Sequence, residues 1–135
     1  MAGYLIDSHI FLWAAQEPAE LKAAERALIS DPANDVAVST ATFWELSIKT
    51  AIGRLPLLGP QRSVPAGYFA ACAAQMGFTI IPVAAPEAEL VRQLPQIHRD
   101  PFDRLLIAQA LISARTIITR DSEFSGYPGL QIFSS

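Results

Sequence analysis

Cysteine is almost missing from this chain of 135 residues: Cys72 stands alone, so no intramolecular disulfide can form, and an unpaired thiol in the apolar run from Phe69 to Ala74 suits a core position in a reducing cytoplasm. Histidine is nearly as scarce. With only His9 and His98 there is no Cys/His set for a zinc centre, and both are expected to be structural or peripheral. Neither a P-loop, nor G-x-G-x-x-G, nor G-x-S-x-G occurs, which excludes the common nucleotide-cradling loops and the nucleophile elbow. Charge is sparse too, at 17% against 51% hydrophobic residues, the reverse of a disordered chain. Ser63 to Pro86 carries no charge at all, but prolines and glycines divide it, so no membrane span is expected. The first residues lack a basic region and meet Asp7 early, so no signal peptide is expected either. The length fits one domain, residues 1–135.

What is present reads as short apolar strands alternating with helices. Tyr4 to Ile6 is a strand ending at Asp7, with Ser8 placed to cap a helix through Trp13. Pro18 opens a helix over Ala19 to Ile29 in which Glu20, Lys22, Glu25 and Arg26 face out. Val36 to Val38 is a strand, and Ser39 or Thr40 caps a helix that Gly53 stops. A Pro-started uncharged helix, a strand within Phe78 to Val83, a helix from Glu87 to Leu94, and a helix opened by Asp100 and Pro101 follow. Thr116 to Thr119 is a strand closing on Arg120 and Asp121, and Leu130 to Phe133 is an edge strand. Nearly all-apolar strands of this kind need cover on both faces, which predicts an α/β fold, a three-layer α/β/α sandwich around a mostly parallel sheet.

Of thirteen acidic residues, Glu17, Glu20, Glu25, Glu87 and Glu89 occupy ordinary solvated helix positions. Asp7 and Asp121 instead follow strands directly, where open parallel sheets place ligands, although a turn or cap explains either one alone. Glu45 can pair with Lys49 four residues on, worth roughly 0.2–0.5 kcal/mol, or point along the buried edge of the sheet beside Ala41, Ile48 and Ile52. Asp100 and Asp103 make a well-formed helix start, an N-cap and an acid in the first turn. If these acids share a crevice, their repulsion calls for a cation, and oxygen donors select Mg²⁺ or Mn²⁺ beside a phosphate substrate.

The segments Leu5 to Ser8, Phe43 to Lys49, His98 to Ala110 and Ile118 to Phe124 together resemble PIN-domain proteins of the VapC toxin type, over nearly the whole chain and in the right order. The resemblance implies a Mg²⁺- or Mn²⁺-dependent endoribonuclease, the toxin of a type II toxin–antitoxin pair. It assigns Asp7, Glu45, Asp103 and Asp121 as the catalytic, metal-holding quartet, with Asp100 a further metal ligand and Ser8 and Thr119 as nearby hydroxyls. Setting the five acids aside leaves eight acidic against ten basic residues, and Lys49, Arg54, Arg99, Arg104 and Arg120 are candidates to grip an RNA backbone. The implied partners are RNA, a small antitoxin protein and a second copy of the chain. Phe11, Leu12, Trp13, Leu57 and Leu58 are candidates for the apolar contact surface. A phosphatase lacks support because Asp7 is followed by Ser8 and His9. The alternatives are a catalytically silent PIN fold or a receiver-like binding module, though the latter wants a Lys near Asp121 where Arg120 stands.

Overall fold

The computed structural model describes residues 3–54 and 66–134. Five strands, β1 (Gly3–Ile6), β2 (Asp35–Ser39), β3 (Thr79–Ile81), β4 (Thr116–Ile118) and β5 (Ile132–Phe133), form one sheet in the order β3-β2-β1-β4-β5. Every pairing is parallel, so the sheet is parallel throughout the described residues. Helices α1 (Ser8–Gln16), α2 (Ala23–Ser30), α3 (Thr40–Ala51), α4 (Tyr68–Gln75), α5 (Ala85–Leu90) and α6 (Pro101–Ser113) connect them.

Side chains alternate between two separate cores, as the two-residue period of a strand demands. Ile6, Val36, Val38 and Ile118 meet Ile10 and Phe11 of α1, Leu46 of α3 and Phe69 and Ala73 of α4 on one face. Leu5, Ala37 and Ile117 meet Leu106, Ile107 and Ala110 of α6, with Leu94, Phe124 and Tyr127, on the other. The result is the three-layer α/β/α arrangement expected from the strand composition.

Strand order reverses at β1: the chain builds outward through β2 and β3, then crosses back to lay β4 on the other side of β1. Helices therefore diverge at the carboxyl ends of β1 and β4, opening a crevice at the switch point. The register Ile6↔Ile118 sets Asp7 beside Thr119, and the Asp7 N–H donates to the Ile118 carbonyl.

Several local expectations change. Asp7, not Ser8, caps α1, its Oδ1 accepting the Ile10 N–H at 2.9 Å. The helix expected over Ala19 to Ile29 is broken into a single 3₁₀ turn, Pro18–Glu20, and α2, because Leu21 turns extended to enter the core. Glu25 does not face out: it is fully buried. The helix expected from Glu87 to Leu94 is α5 followed by a 3₁₀ turn, Val91–Gln93, with Leu94 again extended and buried. Cys72 packs against the α4 side of the core but is half-buried rather than enclosed. No helix among the described residues is long and apolar enough to cross a membrane.

Candidate active site

Four of the five acids singled out in the sequence are delivered to the crevice by element ends. Asp7 sits in the β1–α1 turn, Asp100 and Asp103 at the start of α6, and Asp121 just after β4, while Glu45 reaches in from the middle of α3. All five line one cleft of about 300 Å³, together with Ser8, His9 and Lys49.

Hydroxyl groups fix the two deepest carboxylates. Thr119, fully buried, donates its hydroxyl to Asp7 Oδ2 at 2.6 Å and accepts the Asp121 N–H at 3.0 Å, so one side chain ties the ends of β1 and β4 together. Ser8 donates to Glu45 Oε1 at 2.6 Å, and Lys49 Nζ lies 2.6 Å from Glu45 Oε2. Glu45 thus satisfies both of its sequence readings: it pairs with Lys49 and is buried. The apolar stripe expected beside it is wrong, however. The helix α3 packs through Ala41, Thr42, Glu45 and Leu46, which turns Trp44, Ile48 and Ile52 outward, Trp44 to 59% exposure.

Asp100 caps α6 by accepting the Phe102 N–H at 2.8 Å, and Asp103 stands in the first turn. Burial, then the nearby Asp100 carboxylate, with smaller repulsion from Glu45 and Asp7, pushes Asp103 up to about 7 against an opposing pull from His98. Burial also raises Asp7, outweighing its hydrogen bonds from Thr119 and Ile10. Asp121 goes the other way: burial acts upward, but hydrogen bonds from His98 and the Glu123 N–H hold it below the usual carboxylate range. Asp7 and Asp103 therefore resist carrying charge in the cleft, through burial first and neighbouring carboxylates second. An oxygen-rich donor set under that repulsion fits a hard divalent cation, and a carboxylate oxygen of Asp103 and one of Asp121 lie within 4.8 Å of each other and of a His98 ring nitrogen.

A PIN domain family model matches residues 4–130. The chain belongs to the PIN-domain family. The same fold recurs in solved structures of low sequence identity. VapBC2 from Rickettsia felis bound to a DNA fragment from its promoter has a TM-score of 0.70 at 15% identity, covering 98% of each chain. DNA-bound VapBC from Salmonella typhimurium has 0.66 at 16% identity over 99% of this chain and 98% of the other. VapBC-5 from Mycobacterium tuberculosis, a member of the VapBC family of toxin–antitoxin systems, has 0.58 at 18% identity over 100% of both. No curated protein sequence matches the chain.

In this PIN domain two of the five basic candidates serve the scaffold. The buried Arg104 guanidinium donates to the carbonyls of Val91 at 2.6 Å and Pro95 at 2.8 Å, pinning the loop before α6. Arg120 pairs with buried Glu25 at 2.6 and 2.9 Å and lies 4.2 Å over the Trp13 ring. Lys49 lines the cleft, and Arg54 and Arg99 are exposed. Of the apolar surface candidates Phe11 is core, Leu12 and Trp13 are half-buried, and Leu57 and Leu58 lie outside the described residues. His98, expected to be structural or peripheral, is buried with its ring 2.9 Å from Asp121, a pairing that the sequence reading did not anticipate. Its partners lie 23 and 29 residues downstream, beyond the reach of any spacing rule.

Proposed function

We propose that this PIN domain is a Mg²⁺- or Mn²⁺-dependent endoribonuclease acting as the toxin of a toxin–antitoxin pair. The observation that carries the reading is the convergence of five carboxylates, from four separate chain segments, on one cleft at the switch point of the sheet. Asp7, Glu45, Asp103 and Asp121 are the residues that would hold the cation, with Asp100 beside them. Bound there, the cation would offset carboxylate repulsion, polarise a phosphodiester and favour attack by water.

The chain's own groups prepare this site. Thr119 and Ser8 occupy one oxygen each of Asp7 and Glu45, leaving their remaining lone pairs oriented by the fold. Lys49, some 40% exposed, offers a cation at the cleft edge for a backbone phosphate. The toxin role is supported by the likeness to VapBC structures. A small antitoxin and a second copy of the chain are the partners this role implies, and the exposed Trp44, Ile48 and Ile52 on α3 give an apolar face for such contact.

Incubating the purified protein with total RNA and Mn²⁺, in parallel with EDTA, tests the reading. Discrete cleavage products with the metal and none in EDTA are expected. Binding of RNA without cleavage under either condition would favour a silent PIN fold.

A further inference from the structure

His98 and Tyr127 are both buried, and neither is used by the reading above. One proton arrangement satisfies all of their hydrogen bonds together, with the acceptor-only Asp121 carboxylate requiring a proton on Nε2. The His98 backbone N–H can only donate, so the Tyr127 hydroxyl oxygen, 3.0 Å away, accepts from it. The phenol's own proton is then free for His98 Nδ1, at 2.7 Å. With Nδ1 accepting, the neutral ring carries its proton on Nε2, which faces Asp121 Oδ2 at 2.9 Å. The other oxygen of Asp121 accepts the Glu123 N–H at 3.0 Å, so both are anchored. The imidazole cannot swing away: it stacks on Tyr127 at 5.5 Å and meets Phe124 edge-on at 4.6 Å.

We propose that His98 and Tyr127 are positioning residues for the divalent-cation site. Tyr127 selects the His98 tautomer, and His98 holds the Asp121 carboxylate in the orientation in which it faces the cleft. This rests on the metal-dependent reading, with Asp121 as a ligand and His98 not one, because the Nε2 lone pair is taken by its proton. Carboxylates and histidines around metal sites are commonly set by such outer hydrogen bonds, whose loss costs about 10- to 100-fold in metal affinity.

Mn²⁺ titration followed by electron paramagnetic resonance, with pulsed detection of coordinated nitrogen, tests it on wild type, Tyr127→Phe, His98→Leu and His98→Gln, each checked for folding by circular dichroism. Tyr127→Phe removes one oxygen atom only, which keeps the test open if a His98 variant fails to fold. Expected are Mn²⁺ binding by wild type with no coordinated histidine nitrogen, a loss of about 10- to 100-fold in affinity for Tyr127→Phe and His98→Leu, and partial recovery in His98→Gln, whose amide N–H can still reach Asp121. Folded Tyr127→Phe with wild-type affinity would overturn the relay. So would a directly coordinated nitrogen that disappears in His98→Leu. If wild type itself binds no Mn²⁺, the metal-dependent reading falls along with it.

Discussion

Asp103 measures the tension stored in the cleft. Its carboxyl ionises at about 7 instead of 3.8 because burial and the Asp100 carboxylate both disfavour its charge. The folded chain therefore keeps a proton over an interval in which the unfolded chain has lost it. Stability from that proton is fully present below about pH 4 and fades as pH rises through about 7. In EDTA at pH 7.5, Asp103→Asn is expected to melt higher than wild type, by on the order of 3–6 °C for each kcal/mol of repulsion relieved, with the difference shrinking toward pH 4. Asp121→Asn should behave oppositely. Its carboxylate is stabilised by His98 and the Glu123 N–H, so the variant is expected to melt lower, which calorimetry on both proteins checks. The Asp side chains look equivalent in the sequence, since each is an acid at an element end. What separates them is which donors face them, and those donors come from distant segments.

At the scale of elements, α2 is fastened to the end of β4 by the Glu25–Arg120 pair rather than by apolar periodicity alone. Glu25 is fully buried, so removing the Arg120 guanidinium takes away the countercharge of a carboxylate that keeps the Lys22 N–H at 2.8 Å; breaking a buried pair costs about 3–5 kcal/mol in comparable cases. Urea unfolding of Arg120→Met should show a loss near the lower end, because Arg120 is partly exposed, and Glu25→Gln/Arg120→Met should lose less than the sum of the single changes. Strands and most helices were readable because apolar runs, prolines and caps act locally. The breaks at Leu21 and Leu94 were not, since each leaves the helix to fill the core, a tertiary demand that outweighs local propensity. The outward turn of Trp44, Ile48 and Ile52 has the same origin: α3 buries the face carrying Glu45, and the apolar residues follow the geometry that remains.

Across the whole molecule, the parallel sheet with its reversal at β1 draws residues 7, 45, 100, 103 and 121 into one place. The acids and the strand ends that carry two of them were legible in the sequence, and their order matched a known family. The His98–Tyr127 relay was not, because only the fold brings those rings together. A cation that binds the folded cleft and not the unfolded chain should stabilise the protein by about 2.7 kcal/mol at 100 times its dissociation constant. Thermal melts over a Mn²⁺ series should show this gain in wild type and a reduced gain in Asp103→Asn. The most direct test of the central claim is end-group analysis of a defined single-stranded RNA incubated with wild type or Asp7→Asn in Mn²⁺. Fragments with 5′-phosphate and 3′-hydroxyl ends from wild type, and uncut RNA from folded Asp7→Asn, are the predicted result. Equal cleavage by both proteins, or 2′,3′-cyclic phosphate ends that persist in EDTA, would contradict it.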